Sequence, residues 1–208
     1  MKNKFPPLFT FVGSSGSGKT TFLENLIPFF TKKGFKVGAI KHDAHRFEID
    51  KPGKDSYRLK KAGSNQVIIS SKEKVALIKT VNKDMSVYEL ILNYFNDVDI
   101  ILTEGYKKSS IPKFEIYRIE NGKEPLCFGD SNLVGIVTNG EVSMNNPVFG
   151  LKDYDKVADY IISIANLGGV EVKVDCEDEL VKRFLEEKIS MVKFFKTVKN
   201  VKVKVEFD

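Results

Sequence analysis

The chain is poor in the residues that build metal centres and disulfide frameworks: two cysteines, two histidines and no tryptophan in 208 residues. Cys127 and Cys176 stand far apart with no C-x-x-C pair, which argues against a zinc ribbon and against a disulfide-stapled scaffold. Both read as reduced core residues of a cytosolic protein. No apolar run approaches the length of a membrane span, and the opening Met1-Lys2-Asn3-Lys4-Phe5-Pro6-Pro7 lacks the apolar stretch of a secretory leader. The expectation is a cytoplasmic protein with no membrane association. Neither sign of charge dominates: 33 Lys and Arg against 28 Asp and Glu leave a net +5, too small an excess to demand nucleic acid, and no nucleic-acid partner is expected.

Against that background one stretch stands out, Gly13-Ser14-Ser15-Gly16-Ser17-Gly18-Lys19-Thr20, followed by Thr21. It fits G-x-x-x-x-G-K-[ST], the phosphate-binding P-loop. Glycines let the backbone curl so that successive N–H groups face phosphate oxygens. The helix opening near Gly18 adds unpaired N–H groups and the positive end of its dipole. Lys19 is expected to reach the β- and γ-phosphates, and the Thr20 hydroxyl to ligate Mg²⁺. The flanks fit as well. Leu8 to Val12 reads as a buried strand, and Phe22, Leu23, Leu26, Ile27 and Phe30 recur at helical spacing.

Further along, Lys32-Lys33 and Gly34 mark a helix end, with Pro28 expected to bend or break the last turn. Strands are expected over 35–40, 67–69, 75–78, 97–103, 113–119 and 133–137. Helices are expected over 54–62, from a capping box at Ser86 to Phe95, and over 153–165. Helices alternating with continuously apolar strands imply an α/β fold, a mostly parallel sheet flanked by helices. Its ligand belongs at the carboxyl ends of the strands. The last forty residues differ. The alternating segments 170–174 and 201–205 bracket an amphipathic helix over 178–198, which suggests a small C-terminal β-α-β extension (169–208) on a nucleotide-binding domain (1–168). Its strand edges suit pairing with a second subunit.

Three other clusters carry candidate chemistry. Glu104 ends the strand 97–103, where a parallel sheet brings it beside the P-loop and lets it serve Mg²⁺ or an attacking water. Asp99 is the competing acid, but it lies ~16 Å away along the strand. His42 and His45 follow the second strand in Lys41-His42-Asp43-Ala44-His45. This pair is short of ligands for a metal site and suits contact with an anion or substrate; Asp43 is the candidate to bind Mg²⁺ through water or to polarise water. Seven basic residues against four acidic ones between Lys41 and Lys61 suit a second anionic ligand, with Lys107, Lys108, Lys113 and Arg118 extending the patch. Base identity is not written in the usual way. A guanine-reading N-K-x-D needs Asp two residues after Lys; Asn82-Lys83-Asp84-Met85 fails that spacing and Thr138-Asn139-Gly140 lacks the lysine.

Taken together, three motifs resemble the molybdopterin-guanine dinucleotide biosynthesis protein B (MobB) family. They are Val12 to Thr21; Ile40-Lys41-His42-Asp43-Ala44-His45 with Asp50-Lys51-Pro52-Gly53-Lys54-Asp55-Ser56 and Ala62-Gly63; and Thr103-Glu104-Gly105-Tyr106-Lys107 with Pro112-Lys113. The second is the family's hallmark and the third its usual companion, and the likeness spans residues 5–165. It implies a P-loop NTPase fold and a GTP-binding, Mg²⁺-dependent accessory protein with slow GTPase activity, usually a homodimer. Such a protein assists the molybdenum cofactor guanylyltransferase that joins GMP to molybdopterin. By position, Gly13, Ser14, Ser15, Gly16, Ser17, Gly18, Lys19, Thr20 and Thr21 hold phosphates and Mg²⁺. Lys41, His42, Lys54 and Asp55 line the adjacent pocket, and Glu104 faces the nucleotide. Arg46 stands where a smaller residue is common. Two rivals share the P-loop. A small-molecule kinase needs an arginine-rich lid, which is not evident here, and a nickel metallochaperone GTPase needs a Cys-based metal site, which the chain lacks.

Overall fold

In the computed structural model, residues 6–42, 47–122 and 124–167 are described, with side chains as far as residue 165. The proposed extension over 169–208, Asp43, His45 and Arg46 lie outside them. The chain divides into two compact units, Met1–His42 with Asp97–Asp208, and Asp43–Asn96. No helix among the described residues is long and apolar enough to cross a membrane.

The larger unit is a six-stranded sheet. In chain order its strands are β1 (Leu8–Val12), β2 (Val37–Lys41), β5 (Ile100–Glu104), β6 (Lys113–Tyr117), β7 (Leu133–Thr138) and β8 (Val148–Gly150). They lie side by side as β2-β5-β1-β6-β7-β8, every neighbouring pair parallel. Successive side chains alternate between faces. Phe9, Phe11, Ile100, Leu102, Phe114, Ile116 and Val137 therefore share one face, where they meet Phe22, Leu26 and Phe30 of α1 (Lys19–Lys32) and Val157, Ala158 and Ile161 of α4 (Tyr154–Leu167). Phe11 stacks on Phe114 at 5.3 Å between ring centroids. Gly135 makes room there, since a Cβ would come within 2.7 Å of the Phe114 ring.

Pro28 does not break α1, which runs unbroken to Lys32. Gly34 then turns left-handed at φ 86° and the Phe35 amide donates back to the Phe30 carbonyl at 3.1 Å, the glycine-terminated helix end its sequence implies. Strand β6 stops at Tyr117 and Ile119–Asn121 form a 3₁₀ turn, where strand was expected through residue 119. β5 begins at Ile100 because Asp99 is engaged at its head: the Lys36 amide donates to the Asp99 carboxylate at 2.7 Å.

The smaller unit holds α2 (Asp55–Lys61), β3 (Gln66–Ser70), β4 (Val75–Lys79) and α3 (Val87–Tyr94). β3 and β4 form an antiparallel two-stranded sheet of their own, so these two strands add nothing to the parallel one. The Ser86 and Glu89 side chains close the capping box of α3.

Candidate functional site

In a parallel sheet all strands end on the same edge, and the loops after β1, β5, β6 and β7 gather there, with His42 just past the end of β2. The loop after β1 carries the glycine motif. Gly13, Gly16 and Gly18 have φ of 151°, 77° and 89°, a region that other residues occupy only at a cost. A Cβ on Gly13 would overlap the Ile116 carbonyl oxygen of β6, so the chain passes too close to its neighbour for any side chain. Gly18 is the N-cap of α1. The Lys19 ammonium curls over the loop and donates to the carbonyls of Gly13 (3.2 Å) and Ser14 (2.9 Å). Ser17 is fully buried and its hydroxyl has no protein partner. Ser15, Gly16, Thr20 and Thr21 are exposed.

Glu104, at the end of β5, is paired in register with Phe11 of β1 and Lys41 of β2. The Thr20 hydroxyl donates to its Oε2 at 2.6 Å, and the Lys41 ammonium stands 3.8 Å from Oε1. Only 14 % of the Glu104 side chain is exposed. The chain beyond is held by backbone and ring contacts. The His42 amide donates to the Glu104 carbonyl at 2.9 Å, and the Thr10 hydroxyl donates to the Gly105 carbonyl at 2.6 Å. The His42 ring stacks on Tyr106 at 4.5 Å. Gly105 (φ 111°) allows this close approach, because a Cβ would press on the His42 carbonyl at 3.0 Å. Asp99 lies at the opposite end of β5 from this cluster.

The donor set fits a nucleotide triphosphate with Mg²⁺. A threonine hydroxyl that gives its proton to a carboxylate keeps its lone pairs for a cation, and hard oxygen donors are what Mg²⁺ takes. Among the described residues no three His, Cys, Asp or Glu groups gather into a complete cage. That suits an ion held by one or two protein oxygens and the phosphates of its substrate. The positive-φ glycines and the orphaned Ser17 hydroxyl form a cradle with unmet hydrogen-bonding capacity.

Lys54 and Asp55 belong to the smaller unit, where Lys54 caps α2 and Asp55 opens it. The hallmark stretch folds into a closed turn there: the Ser56 hydroxyl donates to Asp50 at 2.8 Å and the Lys54 amide to the Lys51 carbonyl at 3.2 Å.

Two members of the expected basic patch have other employment. Lys113 is 1 % exposed, pairs with Asp130 at 2.6 Å and donates to the carbonyls of Lys107 and Ser109. It is a buried tie between two loops rather than a surface charge. Arg118 donates through Nε to the Ser17 carbonyl at 3.0 Å and braces the P-loop from the head of the turn that follows β6. Asn121, which nothing in the sequence marks, donates to the Ser14 hydroxyl at 2.9 Å. Glu115, buried in mid-strand, accepts from the amides of Leu126 (2.6 Å) and Cys127 (2.9 Å). Burial, together with the Glu115 charge, pushes the Cys127 thiol up to about 11. Burial disfavours the Asp130 carboxylate, but hydrogen bonds from Lys113 and Asn132 outweigh it and hold its pKa below the usual range.

Comparison with known proteins gives one answer. Residues 8–139 match the family model described as molybdopterin guanine dinucleotide synthesis protein B. The molybdopterin-guanine dinucleotide biosynthesis adapter protein of Haemophilus influenzae is 37% identical over 77% of this chain and 90% of its own length. The Escherichia coli adapter protein is 34% identical over 75% and 91%. The crystal structure of Bacillus subtilis MobB superposes with a TM-score of 0.59 at 26% identity, covering 76% of this chain and 96% of that one. With a P-loop on a parallel sheet and this match across most of its described length, the chain belongs to the MobB family.

Proposed function

We propose that this protein is a GTP-binding accessory factor in the synthesis of molybdopterin guanine dinucleotide, working beside the guanylyltransferase that attaches GMP to molybdopterin. The relatives named as adapter proteins of that pathway support the pathway. The observation that carries the nucleotide reading is the Thr20–Glu104 hydrogen bond at the mouth of the glycine loop. It sets a hydroxyl and a carboxylate where a P-loop protein needs its cation ligand and its acid. Mg²⁺, bound at Thr20 with Glu104 behind it, would supply positive charge against the phosphates. Lys19 would exchange its two loop carbonyls for phosphate oxygens, and Lys41 adds a second cation on the same side. Glu104 is committed to Thr20 and Lys41, which leaves it a poor acceptor for a proton from water. Slow hydrolysis follows from that arrangement. Asp43 enters this reading from its place in the sequence after β2, Lys54 and Asp55 through the family alone, and homodimer formation through the family and the strand edges expected in the C-terminal extension.

The test is calorimetric titration with GTP and ATP in the presence of Mg²⁺, with Lys19→Ala as control. Micromolar or tighter GTP binding, weaker ATP, slow turnover and no binding by the folded Lys19→Ala variant are expected. So is an increased yield of the dinucleotide when the protein is added to purified guanylyltransferase and molybdopterin. A preference for ATP, or turnover that rises with a small alcohol or acid, overturns the proposal in favour of a kinase.

A further inference from the structure

Guanine preference has no N-K-x-D behind it, yet the carboxyl edge of the sheet holds a polar pair tied to the P-loop through one turn. The 3₁₀ turn after β6 is fastened to the P-loop by Arg118 Nε on the Ser17 carbonyl and Asn121 Nδ2 on the Ser14 hydroxyl. The same turn is fastened to the end of β7, where the Ile119 amide donates to Asn139 Oδ1 at 3.3 Å and Asn139 Nδ2 donates to Glu120 Oε1. Gly140 completes the arrangement: any Cβ there would overlap the Ile119 side chain, which lies over it and is still 50% exposed.

Asn139 and Glu120 are both exposed, and their mutual bonds fix what each offers outward. Asn139 accepts from Ile119 on its amide oxygen and gives one of its two Nδ2 hydrogens to Glu120, so a second N–H is left to donate. The carboxylate of Glu120 spends one oxygen on Asn139 and keeps Oε2 open. We infer that Glu120 and Asn139, with Ile119 as an apolar shelf, form a guanine-reading subsite that supplies the base specificity of the proposed GTP site, on which this inference rests. Guanine presents two adjacent donors, N1–H and N2–H, beside the O6 acceptor; the carboxylate takes the donors and the Asn139 N–H serves O6 or N7. Adenine presents one amino group beside the N1 lone pair, which a carboxylate repels. The acid that a guanine motif usually carries on one loop is here delivered from the neighbouring strand's turn.

The test titrates the intact protein, with Mg²⁺, against GTP, ITP, ATP and inorganic tripolyphosphate; ITP keeps N1–H and O6 but lacks the 2-amino group. Wild type should bind GTP more tightly than ITP and ITP more tightly than ATP. Glu120→Gln, folded by circular dichroism, should weaken GTP about tenfold or more, shrink the GTP-to-ITP ratio to about twofold or less, and leave tripolyphosphate within about twofold. Asn139→Ala should weaken GTP and ITP together. An unchanged GTP:ITP:ATP ratio in Glu120→Gln overturns the subsite and leaves GTP binding standing. A wild type that prefers ATP, or one that binds neither nucleotides nor tripolyphosphate, overturns both.

Discussion

Replacing Lys113 by methionine isolates the charge of a buried cation while keeping most of its volume. The ammonium makes three contacts, 2.6 Å to Asp130, 2.9 Å to the Ser109 carbonyl and 3.1 Å to the Lys107 carbonyl. Methionine leaves both carbonyls and the carboxylate without that donor. Breaking a buried pair from one side costs about 3–5 kcal/mol. Asp130 is 28% exposed and keeps two hydrogen bonds from Asn132, so hydration recovers part, and ~3 kcal/mol is expected. For a chain of this size that is a fall in melting temperature of roughly 6–12 °C, read by urea and thermal unfolding at pH 7. The loss should shrink in acid. The folded pKa of Asp130 is lowered, so its stabilising share is full above the unfolded value, near 3.9, and disappears as pH falls through the folded one. Stability of Lys113→Met within about 0.5 kcal/mol of wild type at pH 7 would refute the assignment of Lys113 as a structural tie.

Two further outcomes follow from contacts at the same edge of the sheet. Glu104→Gln keeps an acceptor for Thr20 but removes the negative charge behind Mg²⁺, so GTP turnover should fall about tenfold or more with affinity within about threefold; equal losses in single-turnover rate and in binding would make Glu104 structural. With the thiol of Cys127 near 11, only about one molecule in a thousand carries its thiolate at pH 8. Peptide mapping should then find Cys127 alkylated by iodoacetamide far more slowly in the native protein than in urea, and equal rates would contradict its burial.

The parts of this molecule that could be read from the sequence are those where one residue type has one physical use. Three glycines at fixed intervals before Lys19 force positive φ, and the apolar runs at Leu8 and Ile100 have no place but a buried strand. The parts that stayed hidden depend on partners distant in the chain. Lys113 looks like one more surface lysine until Asp130, seventeen positions on, is seen to neutralise it. Glu115 alternates with apolar neighbours and should face water by period, yet two loop amides bind it in the interior. The β3–β4 hairpin shows strand character at each segment, but no local signal says that its strands pair with each other instead of joining the parallel sheet. β8 is three residues long, too short for any periodicity. Asn121 touches the glycine loop through a turn that forms only because β6 lies beside β1.

That strand order also governs how the protein is made. β1 pairs with β5 and β6, and β2 pairs with β5, so neither strand of the first forty-two residues hydrogen-bonds with the other. As the chain leaves the ribosome, the glycine loop and its strand wait for residues 100–104 before either acquires a sheet neighbour. Contacts this far apart along the chain form late, and the apolar strands stay uncovered until they do. A nascent fragment ending before β5 would hold the entire glycine motif and have no scaffold to shape it.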